Sequence, residues 1–122
     1  MSEVFLILAA ILGLATMLVH SIAGEKLLIG PLVDSDDGIM RNDLAKQVLR
    51  FAWHFTTILG SIAIYILANA AYDFAEADIT LLALTGAAFL FAGIYDAIVT
   101  KGKHIGWPML TAVGALTLFA II

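Results

Sequence analysis

The sequence predicts an all-α fold: a polytopic membrane protein built as a four-transmembrane-helix bundle, in a single domain over residues 1–122. Three observations predict it. The 122 residues are 62% hydrophobic and only 13% charged, whereas a soluble domain carries roughly 25% charged residues. The chain has a mean hydropathy of +1.04, and its apolar residues concentrate in four segments at 4–23, 48–68, 79–99 and 105–122, each close to the ~20 residues that cross a bilayer core as a helix. No strict apolar–polar alternation appears, which argues against a β-barrel. Four spanning helices leave almost no chain for a soluble domain.

The first segment follows an acidic start, Met1-Ser2-Glu3, and Lys26 stands close behind it. Ser21-Ile22-Ala23 has the spacing of a leader cleavage site, but a leader needs a basic start and a shorter apolar run. The segment therefore reads as a retained helix. Residues 24–47 read as the long first loop. "GEKLLIGPLV" is mostly apolar with Gly30-Pro31 as a breaker, and "DSDDG" then interrupts the chain. Asp36 or Asp37 is expected to cap a new helix, which extends helix two back to about residue 38. "DSDDG" is not a calcium loop starting at Asp34, because Gly38 and Ala45 stand where that loop needs ligands. Asn69–Asp78 forms an acidic second loop before helix three, and residues 100–104 form a basic turn before helix four.

The six Lys and Arg residues set the expected orientation. Lys26, Arg41, Lys46 and Arg50 belong to the first loop or its edges, and Lys101 and Lys103 to the third. The second loop carries Asp73, Glu76 and Asp78 and no base. The positive-inside rule then puts loops 24–47 and 100–104 in the cytoplasm and both termini outside it. A bacterial inner membrane is the default location for so small a polytopic chain.

Small and polar residues mark the faces that pack in lipid. Helix one offers Ala9, Gly13, Thr16 and His20. Helix two offers Arg50, His54, Thr57, Ser61 and Tyr65 at steps of four, three, four and four, one stripe of a helix. Helix three offers Thr85 or Gly86, Phe89, Gly93 and Asp96, and helix four, less regularly, Gly106, Thr111, Gly114 and Thr117. Ala9/Gly13, Ala83/Ala87, Ala88/Ala92 and Gly102/Gly106 add small-xxx-small spacings that let helices approach closely.

These stripes collect the chemistry at one end. His20 and His54 lie at matched depth and are expected to face each other across helices one and two. Asp96 lies on the same side, with Glu25 and His104 at the rim. Interfacial packing explains much of this, since Trp53, His54 and Trp107 resemble an aromatic belt. A chemical reading stands beside it, because an acid within a spanning helix is costly and tends to mark a site. His20, His54, Asp96, Glu25 and His104 are candidate zinc or iron ligands. His20 and His54 are candidate cofactor ligands, as a bis-histidine haem pair or around a quinone head.

Other classes are excluded or unsupported. The chain has no cysteine, so thiolate metal sites and cysteine nucleophiles are absent. No phosphate loop or nucleophile elbow is present, and no basic stripe suits a nucleic acid. Small four-helix multidrug exporters share the length and helix count, but residues 4–24 contain no acid to match their coupling carboxylate. The leading expectation is a non-enzymatic accessory or assembly subunit of a larger membrane complex, or a homo-oligomer, whose partners are the bilayer and other membrane subunits. The alternative is a metal-, haem- or quinone-binding, redox- or proton-coupled protein using the His/Asp cluster.

Overall fold

The first helix is far longer than its apolar run requires. In a computed structural model, which describes residues 1–122, α1 runs from Ser2 to Asp34, 33 residues without a break. It is followed by α2 over Asp43–Tyr72, α3 over Ile79–Val99 and α4 over Gly106–Ala120. The first three are long and apolar enough to cross a membrane, and the fourth is a shorter apolar helix of 15 residues. No strand is present.

The expected break at Gly30-Pro31 does not occur. Proline normally breaks a helix by withholding an N–H and clashing with the carbonyl four residues back. Here the chain widens first into two π-helical turns, Val19–Ala23 and Glu25–Ile29. The Gly30 N–H reaches back to the Glu25 carbonyl, so the ladder is already displaced where Pro31 enters the next α-helical turn. The connection is therefore residues 35–42, not 24–47. Asp36 and Gly38 turn it with φ of 52° and 54°. A short 3-10 turn, Gly38–Arg41, precedes α2. Asp37 accepts from the Gly38 N–H within that turn. The cap of α2 is Asn42, whose side chain accepts from the Leu44 and Ala45 N–H groups at 2.9 and 3.4 Å. Helix two thus starts at 43 rather than 38.

The helices pack in the order α2–α1–α4–α3. α1 lies between α2 and α4, α4 lies against α3, and α2 and α3 have little contact with each other. Leu6, Leu67, Leu82 and Val113, one from each helix, are almost wholly buried. The small-residue faces expected of α1, α3 and α4 are the faces that pack. Ala9, Gly13 and Thr16 are buried, as are Gly86, Gly93, Gly114 and Thr117. A Cβ on Gly114 would strike the Leu90 backbone and the Gly86 carbonyl, which shows how closely α3 and α4 approach.

The stripe expected of α2 is half right. Arg50, His54 and Thr57 are partly buried, whereas Ser61 and Tyr65 are exposed. At about 100° per residue, the steps of four, three, four and four keep Ser61 between Arg50 and His54 in angle and carry Tyr65 only about 60° from Arg50, so it is the packed seam of α2 that shifts along the helix. That seam continues instead through Gly60, Ile64, Leu67 and Ala71. Gly60 lies directly under the sulfur of Met17.

The bundle has two tiers. Gly13 packs against both Ile64 and Val113, which sets a common level. Seven residues further along α1 stands His20. Seven residues back along α2 and α4 stand Thr57 and Gly106, where α4 begins. Beyond that level α1 packs chiefly on α2 and its connecting turn. A second small core of Ile29, Val33 and Met40, with Leu49 and Trp53 against it, holds this two-helix extension together.

Candidate functional site

The base of the extension holds most of the polar chemistry. The π turns place it there. Met17, Ser21, Glu25, Ile29 and Val33 are spaced by four, and an ordinary α-helix would carry them about 160° around its axis. Widened turns, with their i→i+5 bonds, absorb the drift. Met17, Ile29 and Val33 are consequently buried, and Ser21 and Glu25 point at α2.

Glu25 joins two residues of α2. Its Oε1 lies 2.9 Å from Arg50 Nη2 and its Oε2 lies 3.2 Å from His54 Nε2. The Glu25 side chain is 29% exposed, so this ion pair is only partly screened. The other His54 nitrogen, Nδ1, lies 3.0 Å from Ser21 Oγ. A carboxylate only accepts, so His54 Nε2 carries a proton. The Ser21 hydroxyl can then donate to a bare Nδ1 or accept from a protonated one. The imidazole is therefore held in one orientation in either charge state. Arg50 Nε and Thr57 Oγ1, on either side of His54 along α2, are buried without a partner.

His20 belongs to a separate arrangement. Its ring stacks on Trp53 at a centroid distance of 4.1 Å and an angle of 12°. Its Nε2 lies 2.9 Å from Thr56 Oγ1, which itself donates to the Trp53 carbonyl at 2.6 Å. Trp53 Nε1 donates back to the His20 carbonyl at 3.1 Å. Gly24 makes room for the indole, since a Cβ there would collide with it.

Asp96 and His104 form a third arrangement, across the α3–α4 turn. His104 Nδ1 lies 2.6 Å from Asp96 Oδ2, with Asp96 19% and His104 52% exposed. Thr100 Oγ1 donates to the Asp96 carbonyl and Trp107 Nε1 to that of Gly102.

The structure thus brings Glu25 to His54 and Asp96 to His104, and leaves His20 on Trp53. It does not bring His20 and His54 ring to ring, because each imidazole is already bonded elsewhere. The five candidate ligands do not converge, and no group of three or more His, Cys, Asp or Glu side chains is placed to hold a metal ion. Sequence reading missed Ser21, Gly24 and Thr56. The fourfold spacing from Met17 to Val33 was the available signal, but it points to one face only if the helix is widened.

Two shallow hollows flank α2. One of about 370 Å³ lies among Val33, Asp43, Lys46, Gln47, Arg50 and Phe51. The other, about 240 Å³, opens between α2 and α3 beside Tyr65, Asn69 and Glu76. Comparison with known proteins finds no family model, curated protein or solved structure that matches the chain.

Proposed function

We propose that this chain is a small integral membrane protein that works by association, as an accessory or assembly subunit of a membrane complex or as a homo-oligomer. All four helices cross the bilayer, and the basic end, with loops 35–42 and 100–104, faces the cytoplasm of a bacterium. One observation carries the reading. α2 packs along one face only, and its opposite face presents Tyr65 and Asn69 outward from an apolar helix. Polar side chains within spanning helices usually meet another helix rather than lipid. Mild solubilisation of native membranes followed by native electrophoresis tests this. The protein is expected in an assembly well above its 13.0 kDa. A monomer in every mild detergent would sink the idea.

A second reading is favoured by the Glu25–Arg50–His54–Ser21 arrangement. π turns recur at functional sites, and here two of them seat an imidazole against a carboxylate with a hydroxyl that suits both protonation states. That is the composition of a proton-handling or quinone-head site. An absorption spectrum, metal content and extracted quinone from the same preparation decide it. A stoichiometric bound group would move the function to this site.

A further inference from the structure

We propose that the hollow of about 370 Å³ on the two-helix extension binds the headgroup of a zwitterionic phospholipid with a primary amine, phosphatidylethanolamine, in the leaflet at the basic end of the bundle. The site requires that the chain spans the bilayer and is independent of its association with other subunits. Asp43, Lys46, Gln47, Arg50 and Phe51 line the hollow from α2, and Val33 lines it from α1. The five α2 residues follow at helical spacing and share one face.

Their order along the helix matches such a lipid. Arg50 lies about 33 Å from Tyr72 along α2, just past a hydrocarbon core of about 30 Å. Lys46 stands about 6 Å further out and Asp43 about 10 Å. The headgroup layer adds about 5–8 Å beyond the core, so Lys46 and Arg50 bracket the depth at which phosphates lie. Asp36, on the connecting turn, is 2.9 Å from Lys46 Nζ, and Asp34 and Asp43 are close enough to act on its charge. The hollow is thus polarised. Acids are outermost, cations follow, and Phe51, 66% exposed, stands at the inner edge. Read inward from water, phosphatidylethanolamine has an ammonium, a phosphate and acyl chains.

The cations keep donors to spare. An ammonium has three N–H groups and a guanidinium five. Lys46 meets only Asp36, and Arg50 meets Glu25 through Nη2 alone. The Arg50 side chain is 43% exposed, and the planar fork of a guanidinium suits phosphate oxygens. Gln47 adds an exposed amide. The volume falls within the range of small-molecule sites, about 300–1,000 Å³. It holds a headgroup, and the chains then run below it past Phe51.

Charge selects the headgroup. Glu25, Asp34, Asp36 and Asp43 outnumber Lys46 and Arg50 around the hollow, which disfavours a net anionic lipid. A quaternary ammonium has no N–H to give these carboxylates, whereas a primary one has three. A basic peptide would answer the acids and leave the spare donors of Lys46 and Arg50 unmet.

The full chain, freed of endogenous lipid in mild detergent, is titrated with dioleoyl phosphatidylethanolamine, phosphatidylcholine and phosphatidylglycerol and with inorganic phosphate, and bound lipid is counted by native mass spectrometry. The expected result is one phosphatidylethanolamine held at least about fivefold more tightly than either other lipid and not displaced by millimolar phosphate. Equal affinities, tighter phosphatidylglycerol, or displacement by phosphate overturn the proposal. Asp43→Asn, at an exposed position, should remove most of the preference over phosphatidylglycerol. Lys46→Gln should weaken all three lipids about tenfold. An unchanged preference in the first or unchanged affinities in the second overturn the assignment of the hollow. A photoreactive residue at position 47 in native membranes should label lipid. Adducts confined to a polypeptide overturn the lipid assignment and leave association standing. Release of the chain by alkaline carbonate overturns the spanning reading and this one together, whereas an integral chain with no lipid preference overturns this one alone.

Discussion

The imidazole of His20 lies flat on the indole of Trp53, and each residue bonds to the other's backbone carbonyl, at 3.2 Å from His20 Nε2 and 3.1 Å from Trp53 Nε1. Two helices are thereby joined twice at one level, by ring contact and by reciprocal hydrogen bonds. This joint closes the four-helix tier and begins the two-helix extension.

Trp53→Phe should keep much of the stacking and lose the indole bond, at a cost of about 0.6–2 kcal/mol. Trp53→Ala should cost more, because the aromatic pair, worth about 0.5–1.5 kcal/mol, and its buried area go as well. Thermal unfolding in detergent measures both. Equal losses would mean that the ring contributes nothing beyond its N–H.

Glu25→Gln should destabilise the protein more than Asp96→Asn, because Glu25 bridges both Arg50 and His54 while Asp96 meets only His104. A double-mutant cycle of Glu25→Gln with His54→Gln should return a coupling of about 0.5–3 kcal/mol, the range for residues sharing a network. Strict additivity would show that the contact carries no energy.

Gly60→Val and Ser61→Leu should differ sharply despite being neighbours. A side chain at 60 meets Met17, and overpacking of this kind costs about 1–3 kcal/mol. Ser61 is exposed, and such a change away from packed features usually stays within about 0.5 kcal/mol. Reversed melting shifts would mean that the packed seam of α2 runs through Ser61 after all.

Ser2→Cys and Ala77→Cys should react with an impermeant thiol reagent on intact cells, and Ser35→Cys should not. The warrant is the gathering of every Lys and Arg at the opposite end from Ser2 and Ala77. Labelling confined to Ser35→Cys would invert the orientation.

Much of this fold is legible in the residues. The packed faces of α1, α3 and α4 follow from where Ala9, Gly13, Gly86, Gly93 and Gly114 fall, because only small side chains let helix backbones approach so closely. The candidate site was legible as a set of residue types and not as a geometry. Reading Gly30-Pro31 as a stop rests on α-helical hydrogen bonding, and a π turn beneath the proline removes that condition. The same widening decides that Glu25 turns inward to Arg50 and His54. Local spacing does not register it, since the same fourfold pattern reads as a drifting stripe in an ordinary α-helix and as one face only in a widened one. Ser61 and Tyr65 were misplaced because a stripe of nearly constant angle reads as one face, while the side of α2 that packs shifts along its length, from Arg50, His54 and Thr57 to Gly60, Ile64 and Leu67.

The tiers also bear on bilayer thickness. At about 1.5 Å per residue, α1 and α2 are about 50 and 45 Å long, and α3 and α4 only about 31 and 22 Å. A hydrocarbon layer of about 30 Å suits α3 and exceeds α4. With all four helices spanning, the lipids beside α4 would have to thin, because leaning only shortens the depth a helix crosses; α1 and α2, which have length to spare, would meet the thinner layer by tilting. The protein would then rest most comfortably in thin membrane, and its abundance across vesicles of graded acyl-chain length should fall as the chains lengthen.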